Sequence, residues 1–175
     1  TPLTAIRAGI IIGPGGSSFK IVKNLVKNLP VMACPQWTKS KNQPIDVFDI
    51  LSLLKQCMGN SKTYNKNIEI GGDQVMSYMD LLRMTSKQMN KRRWIFSIPF
   101  FTVGLSKWWV SFFTGTDINF VSPLVESLKH RMTPNSDSNQ LYNIQFTPIE
   151  KSIKRALNEN PPSLPSFYYS NTEKN

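Results

Sequence analysis

Histidine, cysteine and acidic side chains are the scarce residues of this 175-residue chain. It has one histidine, His130, and two cysteines, Cys34 and Cys57. One histidine cannot build a multi-histidine metal centre, and the two cysteines lack the short spacing of a zinc or redox motif, so no metal ligands are assigned. Two thiols without a disulfide framework suit a reducing, cytoplasmic setting. Asp and Glu number 11 against 21 Lys and Arg, giving a formal net charge of +10. Such a charge admits anionic partners. The lysines are scattered, however, and only Lys91-Arg92-Arg93 forms a tight cluster. A generally basic surface is therefore favoured over nucleic-acid binding, while an anionic membrane surface stays a candidate partner. No secretory signal pattern opens the sequence. There is no initiator Met, and an apolar run starts at Leu3, as expected if preceding sequence has been removed.

The residues that are present describe a folded α/β protein. Hydrophobic residues make up 40% and charged residues 18%, enough to bury a core. The run from Leu3 to Ile12 predicts one strand buried on both faces, as in a parallel sheet. After Gly13-Pro14-Gly15-Gly16, Ser17 or Ser18 is placed to cap a helix whose apolar stripe is Phe19, Val22, Val26 and Leu29. Val31-Met32 suits a short strand, and the stretch from Cys34 to Asn42 a loop. Asp46 and Asp49 predict the start of a second helix with Val47, Ile50, Leu51, Leu54 and Met58 on its apolar face. Asn67 to Ile70 predicts a strand, and Ser77 with Asp80 a capping box before Met79, Leu82 and Met89. Thr102 to Phe113 and Ser122 to Lys129 predict further helices, and Thr147-Pro148-Ile149-Glu150 a helix start with Thr147 as cap. These features place one domain at 1–160 and a Pro-rich tail or linker at 161–175.

Few segments carry a chemical signature. The turn at Gly13 to Ser18 meets neither the G-x-G-x-x-G fingerprint nor the P-loop, because Ser18 stands at the third glycine position and no Gly-Lys-Ser/Thr follows. A plain strand-to-helix turn is favoured over a primary phosphate cradle. Asp46 and Asp49 are three residues apart, which capping explains better than acid–base work. The stretch Trp94 to Phe113 is long enough to span a bilayer, but Pro99, Gly104 and Lys107 interrupt it. A core segment, a wall over a substrate, or an interfacial membrane contact suits it better.

Three ordered segments resemble the C-terminal half of extended and atypical short-chain dehydrogenase/reductases, including nucleoside-diphosphate-sugar epimerase-like and NmrA-like proteins. They are Thr4-Ala5-Ile6-Arg7-Ala8-Gly9-Ile10-Ile11-Ile12-Gly13-Pro14-Gly15, Gln43-Pro44-Ile45-Asp46-Val47-Phe48-Asp49-Ile50, and Ile68-Glu69-Ile70-Gly71-Gly72-Asp73 with Met76-Ser77-Tyr78-Met79-Asp80-Leu81-Leu82. The resemblance implies the last strands of a Rossmann-type parallel sheet with a helix-rich substrate subdomain, an incomplete domain whose N-terminal Rossmann half lies elsewhere. It implies NAD or NADP as cofactor, bordered in this chain by Ala8, Gly9, Ile10 and Gly13, and a small-molecule substrate approached by Pro35 and Trp37. The family's nucleotide fingerprint and Tyr-x-x-x-Lys pair would lie upstream, and none of the five tyrosines here has Lys four residues later. No catalytic residue is assigned. Epimerases of this type often carry Arg-Asp where this chain has Asn42-Gln43, which points away from a nucleotide-sugar substrate. The intact protein is then a reductase or epimerase-like enzyme, or a non-enzymatic NAD(P)-sensing, membrane-peripheral or subunit-interaction protein.

Overall fold

A computed structural model describes residues 1–98 and 144–158. The opening apolar run does not make one strand. It bends at Gly9 and gives β1 (Ala5–Ala8) and β2 (Ile11–Ile12). The two halves have different neighbours. β1 pairs in parallel with β6 (Asn67–Ile70), from Ala5↔Asn67 to Ala8↔Ile70, while β2 pairs in parallel with β5 (Ile45–Asp46). The Ile10 carbonyl accepts the Ile45 N–H at 2.9 Å, and this bond draws the second half of the run away from β6. Burial is also less complete than a two-sided strand requires, for Arg7 and Ile11 are exposed.

The first helix, α1 (Ser17–Asn28), buries Phe19, Val22, Leu25 and Val26. Neither serine caps it. Gly16 is the N-cap, without a side-chain bond, because Gly15 takes φ 74° and turns the chain so that the helix begins on backbone alone. The next strand runs further than the sequence pattern implies. β3 (Val31–Pro35) takes in Cys34 and Pro35, and pairs in parallel with β8 (Trp94–Ile98) from Val31↔Trp94 to Pro35↔Ile98. The expected loop is thus mostly ordered: a short 3₁₀ turn, Gln36–Lys39, leads to β4 (Lys41–Asn42), which pairs antiparallel with β7 (Met76–Ser77).

α2 (Val47–Cys57) is capped by Asp46, whose Oδ1 accepts the Phe48 N–H at 2.8 Å. Its buried face is Ile50, Leu53 and Cys57. Leu54 and Met58, expected on that face, are exposed. α3 (Tyr78–Gln88) begins with the complete capping box of Ser77 and Asp80. α4 (Ile149–Leu157) follows Pro148, and Thr147 does not cap it. The Thr147 donors are instead engaged by Asp49: its N–H reaches Oδ2 and its hydroxyl reaches Oδ1, each at 2.9 Å. The expected helices at 102–113 and 122–129, most of the Trp94–Phe113 stretch, and the 161–175 tail lie outside the described residues.

Two apolar cores result. The larger joins β2, α1, β3, α3 and α4 through Ile12, Phe19, Val26, Met32, Leu81 and Ile153. The smaller joins β5, α2 and β6 through Ile45, Leu53, Ile68 and Ile70, with Ile6 and Ala8 of β1 packed against it. The architecture is α/β with parallel strand pairs and helices packed on them. The Gly71-Gly72 pair sets how closely these parts approach. A Cβ on Gly72 would sit 2.1 Å from the Pro44 carbonyl oxygen. Gly72→Ala should therefore destabilise the chain by about 1–3 kcal/mol, read by urea unfolding, whereas Gly59→Ala, at φ 70° with no neighbour near its added Cβ, should cost only its backbone strain.

Candidate functional site

The three segments that carry the family resemblance are far apart in sequence and meet in space. β2 lies beside β5. Gly13 lies under α2, where a side chain would come within 2.6 Å of Val47 Cγ1, so its lack of a side chain serves packing. Gln43 Nε2 donates to the Gly72 carbonyl at 2.6 Å, which ties the second segment to the third. Ala8 ends β1 and packs on the smaller core, Gly9 is the bend, and Ile10 is buried in the larger core with its carbonyl bonded to Ile45. The predicted cofactor-bordering residues thus form one continuous strand–bend–strand–turn, and β5 and α2 back its second half.

The predicted substrate-side residues sit at a second locus. Pro35 closes β3, is buried, and accepts the Thr38 hydroxyl at 2.6 Å. Trp37 stands in the 3₁₀ turn and packs edge-on to Tyr78, with ring centroids 6.0 Å apart. Two residues not assigned from the sequence complete this locus. Asn42 is fully buried and donates Nδ2 to the Met76 carbonyl at 3.2 Å, but its Oδ1 has no hydrogen-bond partner among the described residues. The Tyr78 hydroxyl is likewise buried without a partner there. Buried polar atoms are usually satisfied, so two such atoms on paired and adjoining elements mark a place suited to a polar guest. The one sequence signal was Asn42 itself, where epimerases of this type often have arginine.

The acid–base character of the locus is subdued. Burial pushes the Cys34 thiol up to about 11, against a weaker pull from the Arg83 guanidinium, so it is a thiol and not a thiolate at neutral pH. Burial also raises the Tyr78 hydroxyl well above its ordinary value, which removes it as a neutral-pH base. Among the described residues no cluster of His, Cys, Asp or Glu could hold a metal ion. The arrangement can bind and orient; among the described residues no group tuned for proton transfer is found at it.

A polar clamp holds α4 across the two cores. Arg155 Nη1 meets Asp46 Oδ1 at 3.0 Å and Oδ2 at 3.2 Å, and the guanidinium lies 4.6 Å from the centre of the Phe48 ring. The Asp46 side chain is 1% exposed. Asp49 is held by Thr147 one turn away. Removing one partner of a buried pair leaves the other desolvated and unpaired. Arg155→Met should cost about 3 kcal/mol in thermal or urea unfolding, and Asp46→Asn in the same chain should recover part of that loss.

Asp49 gives a pH signature. Burial raises its carboxyl above the ordinary 3.8, against the opposing Thr147 hydrogen bonds, with Asp46 adding to the rise and Arg155 reducing it. A raised folded value means that the folded chain holds the proton more tightly. The stability Asp49 adds is fully present below 3.8 and is lost as pH rises through its folded value. Asp80 has the opposite sign, because the Ser77 hydroxyl lowers its carboxyl. Unfolding free energies measured across acidic pH should show the parent losing stability relative to Asp49→Asn as pH rises, and gaining it relative to Asp80→Asn.

The fold is similar to that of solved reductases and nucleoside-diphosphate-sugar epimerase-like proteins. Citrobacter sp. triphenylmethane reductase complexed with NADP(H) matches with a TM-score of 0.63 at 13% identity, over 89% of this chain and 54% of that one. dTDP-4-dehydrorhamnose reductase from Bacillus anthracis in complex with NADP matches with a TM-score of 0.54 at 12% identity, over 86% of this chain and 46% of that one. A nucleoside-diphosphate-sugar epimerase from Staphylococcus aureus matches with a TM-score of 0.57 at 16% identity, over 85% and 50% respectively. The chain spans about half the length of these structures. No family model and no curated protein matches the sequence. At these identities the likeness is one of fold.

Proposed function

We propose that this chain is the C-terminal, substrate-side portion of an NAD(P)-binding protein of the reductase and epimerase-like kind, active in the cytoplasm. The convergence of the three family-like segments carries the proposal. Support comes from NADP-complexed reductases among the structural matches and from the half-length coverage. A Rossmann half supplied from outside the described residues would extend the β1–β6 pair and bring the nucleotide fingerprint.

In this arrangement the backbone from Ala8 through Gly9 and Ile10 to Gly13 borders the nicotinamide end of NAD or NADP. Pro35 and Trp37 form the apolar side of the substrate locus, and Asn42 Oδ1 and the Tyr78 hydroxyl offer an acceptor and a donor to a small polar substrate. The guest is uncharged or carries a hydrogen-bond donor, since Asn42 brings no positive charge to a phosphate. A second reading is a non-enzymatic NAD(P)-sensing or subunit-interaction module. It is favoured by the raised Cys34 and Tyr78 groups, which leave the locus without a tuned acid–base group among the described residues.

Titration of the native full-length gene product with NADPH and NADH, followed by nicotinamide fluorescence, tests the proposal. Saturable binding is expected with at least one of them. Ala8→Leu should weaken it about tenfold, a loss of about 1.4 kcal/mol, while Trp37→Ala leaves it unchanged. A native protein that binds neither dinucleotide would sink the first reading and the sensing form of the second, and cofactor turnover with a panel of carbonyl compounds would remove the second.

A further inference from the structure

The segment from Gln36 to Asn42 closes on two buried polar atoms that gain no hydrogen bond from the closure. It runs from the end of β3 through the 3₁₀ turn into β4. The turn lies against α3 and β8, and Trp37 meets the Tyr78 ring edge-on, with centroids 6.0 Å apart. The Tyr78 hydroxyl and Asn42 Oδ1 are both buried, and neither has a hydrogen-bond partner among the described residues. Turning the Asn42 amide does not cure this. Its Nδ2 donates to the Met76 carbonyl at 3.2 Å, and a flip would set Oδ1 against that carbonyl. Burial raises the Tyr78 hydroxyl, which therefore keeps its proton at neutral pH and remains a donor. Two polar atoms that water would serve, and that the closed form does not, destabilise the closed form alone.

The ties of this segment are short and its flanks are firm. The Thr38 hydroxyl donates to the Pro35 carbonyl at 2.6 Å and the Ser40 N–H to the Trp37 carbonyl at 2.9 Å, both local bonds. β4 pairs with β7 over two residues, Lys41↔Ser77 and Asn42↔Met76. On one flank β3 is fixed by its pairing with β8 from Val31 to Pro35. On the other, β7 is fixed to α3 by the Ser77–Asp80 capping box. Trp37 is the one apolar side chain between Gln36 and Asn42, and Gln36, Lys39 and Lys41 are already exposed. Lifting the segment therefore moves little apolar surface into water beyond one indole.

We infer that residues 36–42 form a strap that opens and closes over the locus of Asn42 and Tyr78, with Trp37 as its apolar latch. The indole packing favours the closed form. The two polar atoms favour the open form, where water reaches both. Opposed terms of this kind make opening a local event, below the cost of unfolding the cores. Opened, the locus offers an acceptor on Asn42 and a donor on Tyr78. A guest hydroxyl can serve both, donating to the first and accepting from the second. This last step rests on the substrate locus proposed above, whereas the motion of the strap depends on neither substrate nor dinucleotide.

Hydrogen–deuterium exchange of the native full-length gene product, followed by mass spectrometry of its peptides where reclosing outpaces exchange, tests the strap. Amides of residues 36–42 should exchange well ahead of those of β3 and α1. Low urea should hasten exchange in α1 far more than in the strap, because local opening exposes little surface. Tyr78→Phe removes one of the two polar atoms and keeps the ring, so exchange at 36–42 should slow about tenfold. Trp37→Ala should speed it about tenfold or more. If Trp37→Ala fails to fold, the parent and Tyr78→Phe decide the matter. Exchange at 36–42 that matches α1 in rate and in urea response would mean that the segment opens only with the whole fold, and would overturn the inference. A Tyr78→Phe chain whose strap exchanges as fast as the parent's, or faster, would overturn it too, since the hydroxyl would then be satisfied in the closed form.

Discussion

The close approach of one short stretch of backbone, Gln43 to Val47, to two glycine sites is the constraint on which the rest of the structure depends. Gly13 lies under Val47, and Gly72 lies under the Pro44 carbonyl. A Cβ at either place would occupy space already filled. With both side chains absent, β5 can pair with β2 while the residues just before it reach the end of β6. This joins the larger core, which holds β2, to the smaller one, which holds β5 and β6. Asp46 follows at once, caps α2, and receives Arg155 from α4. A short segment therefore sets the sheet contact, the helix start and the docking of the final described helix.

The same constraint shapes the candidate site. Because β2 is drawn onto β5, the chain bends at Gly9, and the residues from Ala8 to Gly13 present a bent stretch of backbone where a continuous strand would have given a flat one. On the other side of β5, Asn42 pairs with Met76 and sets α3 so that Tyr78 meets Trp37. The buried Asn42 Oδ1 and Tyr78 hydroxyl, without a hydrogen-bond partner among the described residues, follow from that pairing. Both depend on residues that first serve packing.

Several of the expectations drawn from the sequence held because they rest on local chemistry. The Ser77–Asp80 capping box, the strand from Asn67 to Ile70 and the Asp46 cap each need only residues within a few positions of one another. Others failed where a distant partner intervened. Thr147 looked like a helix cap, but the buried Asp49 carboxylate takes both of its donors. On α2, one apolar stripe ran through Leu54 and Met58 and another through Leu53 and Cys57; both satisfy helical spacing, and the position of β6 chose the second. The single strand from Leu3 to Ile12 failed for the same reason, since alternation and apolarity cannot say that its two halves will have different partners.

What the sequence by itself determined was the class: an α/β chain with parallel strands, with three ordered segments that resemble those of Rossmann-type reductases and no Tyr-x-x-x-Lys. Glycine positions, caps and apolar runs are local signals, and local sterics and hydrogen bonding make them legible in one dimension. Only the tertiary structure decided which side chains meet. Asp46 and Arg155 are 109 residues apart, Asp49 and Thr147 are 98 apart, and Asn42 and Met76 are 34 apart. No periodicity encodes such pairs, because they exist only once burial has removed the water that would otherwise satisfy each partner separately.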